Sequence, residues 1–207
     1  MRKPAGALLT VMSAALVIGM SATASSAVTA KTWSDSPGGS ITGKAGVTTF
    51  KDTTSNLTVS CKTSTSTGSL KSGSGLSGKG LGTVTALNFN NCSVDGQTLS
   101  VASGAVTWAL NATSETSGVV HGTITGIHLS VTSSICSLVV DGTSGSADNG
   151  MVKVTYTNST HKLKILPTGG NLHVYDVSGC LGLVSNGDGG SVNTNQTITP
   201  AQTITES

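Results

Sequence analysis

The stretch Met151-Val152-Lys153-Val154-Thr155-Tyr156-Thr157, then Asn158-Ser159-Thr160-His161, then Lys162-Leu163-Lys164-Ile165, decides how the chain is built. Val152, Val154 and Tyr156 fall on one face of an extended backbone, and Lys153, Thr155 and Thr157 fall on the other. Leu163 and Ile165 repeat the alternation against Lys162 and Lys164 after a polar four-residue turn. Period-2 alternation on both sides of a turn is a β-hairpin with one dry and one wet face.

The same texture extends in both directions. Strands are expected at Leu57–Cys61, Thr83–Asn90, Ala105–Leu110, Thr123–Val131, Ser137–Val140 and Asn171–Val177. Asp95-Gly96, Asp141-Gly142, Asn149-Gly150 and Asn186-Gly187 punctuate them, each suited to positive φ in a tight turn. Past the first thirty residues, no window longer than ten residues keeps a helical apolar period. The expected fold class is therefore all-β, an antiparallel β-sandwich or barrel-like sheet. Thr63 to Gly82 is almost entirely Ser, Thr, Gly and Lys and reads as a flexible excursion. The end of the chain, Thr197-Ile198-Thr199-Pro200 and Thr203-Ile204-Thr205, reads as an edge strand broken by proline. Gly82-Thr83-Val84-Thr85-Ala86-Leu87-Asn88-Phe89 echoes Gly122-Thr123-Ile124-Thr125-Gly126-Ile127-His128-Leu129, two copies and so no solenoid.

The N-terminus reads as an export signal. Arg2 and Lys3 precede an uncharged apolar stretch, Ala7 to Met20, and small residues follow. Residues 1–27 are expected to be a signal peptide, with cleavage between residues 24 and 30, leaving residues 28–207 as a single all-β domain. With Arg2 and Lys3 removed, nine basic residues face nine acidic ones, and no net basic charge draws in nucleic acid or anionic membrane. At 10% charged residues, Ser, Thr, Asn and Gly must cover the surface. No later stretch is apolar and long enough for a membrane span. Cys61, Cys92, Cys136 and Cys180 all follow the signal, and an even count in an exported chain reads as two disulfides. Of three connectivities, Cys61–Cys92 with Cys136–Cys180 is expected, each closing a loop of a few dozen residues. No C-x-x-C pair supports a metal instead.

Several phrases carry a resemblance. They are Gly122-Thr123-Ile124-Thr125-Gly126-Ile127-His128, the turn Ala147-Asp148-Asn149-Gly150, Tyr156-Thr157-Asn158-Ser159-Thr160, and the run from Gly169-Gly170-Asn171-Leu172-His173 through Ser178-Gly179-Cys180-Leu181-Gly182-Leu183. Together the chain resembles a group of small Ser/Thr/Gly-rich secreted proteins of actinomycete-type bacteria, with the segment around Cys180 the most specific part. The resemblance implies secretion and four paired cysteines. It carries over no catalytic residue.

Local motifs for chemistry fail one by one. Gly73-Ser74-Gly75-Leu76-Ser77-Gly78-Lys79-Gly80 nearly matches a phosphate-binding loop, but Gly80 stands where a Mg²⁺-ligating hydroxyl is needed and no helix follows. Ser159-Thr160-His161-Lys162 has S-x-x-K spacing, yet it occupies a turn and lacks the companion motifs. His121 and His128 are seven apart, which places them on opposite faces of one strand. His173 and Tyr175 share a face, with Asp176 opposite. Asp141, Asp148 and Asp188 occupy turn positions where Asp is favoured on backbone grounds, and Asn186-Gly187-Asp188-Gly189-Gly190 lacks the further acids of a calcium loop.

No catalytic residue, metal ligand or cofactor is therefore assigned from sequence. The expected function is a secreted, extracellular, non-catalytic binding or structural module. Its partner is an extracellular ligand, polymer or protein and not nucleic acid. The alternative is a secreted hydrolase whose site assembles from separated loops. The position of His121, His128, His173, Asp141 and Asp176 relative to any cavity separates the two.

Overall fold

The computed structural model describes residues 31–104 and 107–207. The expected signal peptide and its cleavage site lie outside these residues, as do Ala105 and Val106 of the expected strand Ala105–Leu110.

Sixteen strands run through the described residues: β1 (Thr32–Ser36), β2 (Gly39–Ala45), β3 (Thr48–Asp52), β4 (Thr58–Leu70), β5 (Gly73–Ser77), β6 (Gly82–Val94), β7 (Gln97–Ala102), β8 (Trp108–Thr116), β9 (Val119–Ile127), β10 (Leu129–Thr132), β11 (Cys136–Asp141), β12 (Gly150–Thr157), β13 (Lys162–Ile165), β14 (His173–Gly179), β15 (Gly190–Thr199) and β16 (Thr203–Glu206). A three-residue 3-10 turn at Cys180–Gly182 is the helical element among them. All pairings are antiparallel. β6, β8, β9, β12, β13, β15, β2 and β4 lie in that order, and pairing of β4 with β6 closes them into an eight-stranded barrel. The all-β expectation holds, and closure resolves sandwich against barrel in favour of a barrel.

β2 and β3 form one stave. Both pair with β4 in a single register, but β15 meets Ala45 opposite Gln196 and Thr49 opposite Asn193. The extra residue is a bulge at Gly46-Val47, which bends the stave as a small barrel requires. β6 pairs with β8 over Gly82–Val84 and, from Asn88 onward, with β7, starting a side sheet of β7, β10, β11 and β14. Val101, Val131, Val140 and Val174 on the inner face of this extension pack over Phe50, Val59 and Val192. One end of the barrel is thus covered like a sandwich. The other is capped by a three-stranded sheet, β16-β1-β5. There Trp33, 1% exposed, drops onto Ile41, Leu70, Leu81, Val120, Ile198 and Ile204. The cap joins the two ends of the described chain: Ser207 N–H donates to Thr32 O at 2.9 Å, and Lys31 pairs with Glu206 at 2.6 Å.

The hairpin read from residues 151–165 is present as β12 and β13, with Val154 opposite Ile165 and Tyr156 opposite Leu163. Thr63–Gly82 is not a flexible excursion. Its first part continues β4 to Leu70, and β5 (Gly73–Ser77) forms part of the rest. Small residues are needed there because Ser64 and Ser66 point into the barrel. Ser64 meets Thr48 at 2.9 Å, Thr48 meets Thr194 at 2.8 Å, and Ser66 donates to Gln196 Oε1 at 2.8 Å. This belt of buried hydroxyls is hydrogen-bonded within itself, as buried polar groups must be. The C-terminal reading needs a second correction. Pro200 does end β15, but β15 is an interior stave flanked by β13, β2 and β3. The edge strand is β16, after the proline. Thr123–Val131 is also two strands, since the chain leaves the barrel at His128 for the extension.

Both disulfides have the expected connectivity, Cys61–Cys92 and Cys136–Cys180. Cys61 and Cys92 face each other across β4 and β6. Cys136 is opposite Gly179, so the next residue closes the second bridge. No helix among the described residues is long and apolar enough to cross a membrane.

Candidate functional site

Two connections pass between barrel and extension at one place. β9 leaves through His128 into β10, and β11 returns through the loop 142–149 into β12, whose Gly150 pairs with Ile127. Asp141, at the end of β11, is fully buried at this crossing. Its Oδ1 accepts the N–H groups of Gly142 (2.6 Å), Asn149 (3.0 Å) and Gly150 (3.2 Å). Its Oδ2 accepts the Asp148 N–H at 2.9 Å and lies 3.0 Å from His128 Nδ1. Burial by itself would push this carboxyl up, but His128 and the N–H groups of Gly142, Asn149 and Asp148 outweigh it and hold the group below the usual carboxylate range. An ionised carboxylate only accepts, so His128 Nδ1 carries the hydrogen. The same nitrogen lies 3.1 Å from Asp148 Oδ1.

A second layer braces the loop. Asn149 Oδ1 accepts Thr143 N–H at 3.0 Å, and its Nδ2 donates to Thr143 Oγ1 at 2.8 Å. Tyr175 OH donates to Gly142 O at 3.1 Å, and His173 Nδ1 reaches Asn171 O at 2.9 Å. Asp176 lies against Gly145, where its carboxylate leaves no room for a Cβ.

His128, Asp141, His173 and Asp176 are thus gathered around one loop, while His121 is exposed on the barrel wall opposite Thr155. Asp188 does act in a turn, accepting Ser185 N–H at 2.7 Å. Asp141 does more than a turn residue: Asp-Gly explains the Gly142 contact, but nothing local announces a carboxylate that gathers five donors. The Gly73–Gly80 segment lies in the cap sheet, and Ser159–Lys162 lies at the turn of the β12–β13 hairpin.

The arrangement has limited chemistry. His128, Asp141 and Asp148 place three ligand atoms within 4.8 Å of one another. However, a carboxylate offers about four lone-pair sites, and backbone N–H groups with His128 already occupy those of Asp141. A cation there would have to displace the donors that hold the loop. A buried carboxylate orienting an imidazole is also half of a hydrolase triad. Among the described residues, no hydroxyl or thiol hydrogen-bonds His128 Nε2.

The apolar cavities inside the fold are small. One, about 60 Å³, lies inside the capped end of the barrel and is bounded by Leu70, Leu110, Tyr156 and Ile198. The other, about 70 Å³, lies beneath the extension. A wider, shallow depression of about 420 Å³ runs over the cap sheet, bordered by Ser34, Ser36, Ser72, Ser74, Thr203 and Thr205.

Asp35 alternates with these serines and points inward with Trp33. It is 2% exposed, and neither carboxylate oxygen has a hydrogen-bond partner. Burial pushes it up to about 6, an effect that the nearby Ser36 N–H, outside bonding geometry, offsets only in part. Tyr156, close by, is itself pushed up by burial and then by the charge of Asp35. No family model, curated protein or solved structure matches the chain.

Proposed function

We propose that this chain is a secreted, non-catalytic binding module that acts outside the cell after removal of residues 1–27. The two disulfides accord with an oxidising compartment. The N-terminal sequence and the resemblance to secreted actinomycete-type proteins support the same reading. One observation carries the binding role. A wide, shallow depression over the cap sheet is bordered by six hydroxyl side chains, whereas the apolar cavities inside the fold are far smaller than the several hundred Å³ of a metabolite pocket. Such a surface suits an extended, hydroxyl-rich partner that lies across it.

The reading is tested with protein recovered from culture medium. Its N-terminus should lie between residues 25 and 31, and it should co-sediment with insoluble extracellular polysaccharide. It should turn over no ester, peptide, glycan or phosphate substrate above buffer. The hydrolase alternative draws on the Asp141–His128 pair alone. Saturable turnover abolished by His128→Ala, in a variant that keeps its fold, would establish that alternative.

A further inference from the structure

Nine lysines and nine acids cancel in residues 31–207, but the fold gathers four of the lysines on a stretch of barrel wall without acids. Strands β12, β13, β15 and β2 are neighbours in the barrel wall and carry Lys153, Lys162, Lys164 and Lys44, all exposed, with no Asp or Glu among them. The extension with its turns carries Asp95, Asp141, Asp148, Asp176 and Asp188 and no lysine. The register sets the spacing on the wall. Thr197 pairs with Lys162 on one side and Lys44 on the other, so these two lysines stand about 10 Å apart with a threonine between them. Lys164 follows on the same face about 7 Å along the strand, beside Asn195. None of the four lysines has a carboxylate within ion-pair distance among the described residues.

We propose that this wall is a docking surface for an acidic polysaccharide, a linear glycan with repeated carboxylates; this rests on the binding-module reading. Exposed ammonium groups in water attract a single carboxylate weakly, and salt screens them. A polymer presents several carboxylates at once, so the repeated spacing matters more than any single pair. Thr197 and Asn195 between the lysines offer hydroxyl and amide partners for sugar hydroxyls. Tyr156, the aromatic residue of these four strands, faces the core at 5% exposure, so the wall gives nucleic-acid bases no stacking platform.

The test is a titration of the purified protein with polygalacturonate, with the same polymer after reduction of its carboxylates to alcohols, and with inorganic polyphosphate. Polygalacturonate should bind with an affinity that falls as salt is raised, and the other two should bind more weakly. The triple variant Lys44→Gln, Lys162→Gln, Lys164→Gln should weaken binding by at least about ten-fold, while Asp95→Asn, in an exposed turn of the extension, leaves it unchanged. Equal binding by the triple variant, or by polyphosphate, would overturn the proposal. Equal binding of the carboxyl-reduced polymer would also overturn it while keeping the module reading, and no binding to any glycan would remove both.

Discussion

Asp141 Oδ2 and His128 Nδ1 lie 3.0 Å apart where the barrel hands the chain to its side sheet and takes it back. Asp141→Asn removes the charge and turns an amide toward the loop's own N–H groups. It should cost roughly 3 kcal/mol or more, because several buried donors lose their acceptor together. His128→Ala should cost less, since the backbone donors still hold the carboxylate. Urea unfolding of both variants checks the order, and a wild-type midpoint for Asp141→Asn would remove the anchoring role.

Asp35 and Asp141 set opposite limbs of the pH–stability curve. Asp35 titrates at about 6 in the fold against an ordinary 3.8. The native state therefore holds its proton where the unfolded chain has released it, and stability falls as pH rises from about 4 to about 6. Asp141, held below its ordinary value, contributes stability that is present above about pH 4 and lost as pH falls through its folded pKa. Thermal stability should therefore peak on the acid side of neutrality, near pH 4 to 5. Asp35→Asn should raise stability at pH 7.5 by up to about 3 kcal/mol, with the gain vanishing below pH 4. Melting curves of the two proteins across pH 3 to 8 should converge at the acid end; a constant offset would exclude titration of Asp35 as the cause.

The two disulfides should differ in reactivity. Cys61 and Cys92 are 0% and 2% exposed within the main core, whereas Cys136 is only half-buried. Mild reductant should open Cys136–Cys180 first, read by alkylation and peptide mapping. Removing either bridge as a double alanine variant should lower stability by roughly 3–4 kcal/mol, since they close loops with sequence separations of 31 and 44.

Thr48 is 0% exposed and bonds to both Ser64 and Thr194. Thr48→Val keeps its shape but leaves two buried hydroxyls one partner short. A loss of about 1–3 kcal/mol is expected, measured by urea unfolding. Adding Ser64→Ala and Thr194→Val should recover part of it, because an apolar set needs no partners.

What could be read from the sequence was local. Val152, Val154 and Tyr156 against Lys153, Thr155 and Thr157 specify a hairpin because the partner strand follows four residues later. The cysteine pairing was legible because each bridge joins cysteines consecutive in sequence. Thr63–Leu70 was not legible as a strand, because its inward residues are Ser64, Ser66 and Gly68, and hydroxyls carry no apolar alternation. Their partners, Thr48, Thr194 and Gln196, are up to 130 residues away from them. The Asp141 anchor stayed hidden for a related reason: backbone N–H groups leave no signature in a sequence, and Asp-Gly already accounts for the residue as a turn.

Finally, β1 pairs with β16, the first described strand with the last, and Trp33 stands opposite Glu206. The cap cannot form until Thr203–Glu206 has been synthesised, so Trp33 and Ile41 lack that cover until the pairing with β16 is made. Strand β16 acts as a latch, and a chain clipped before Thr203 should present that apolar barrel end as a sticky mouth.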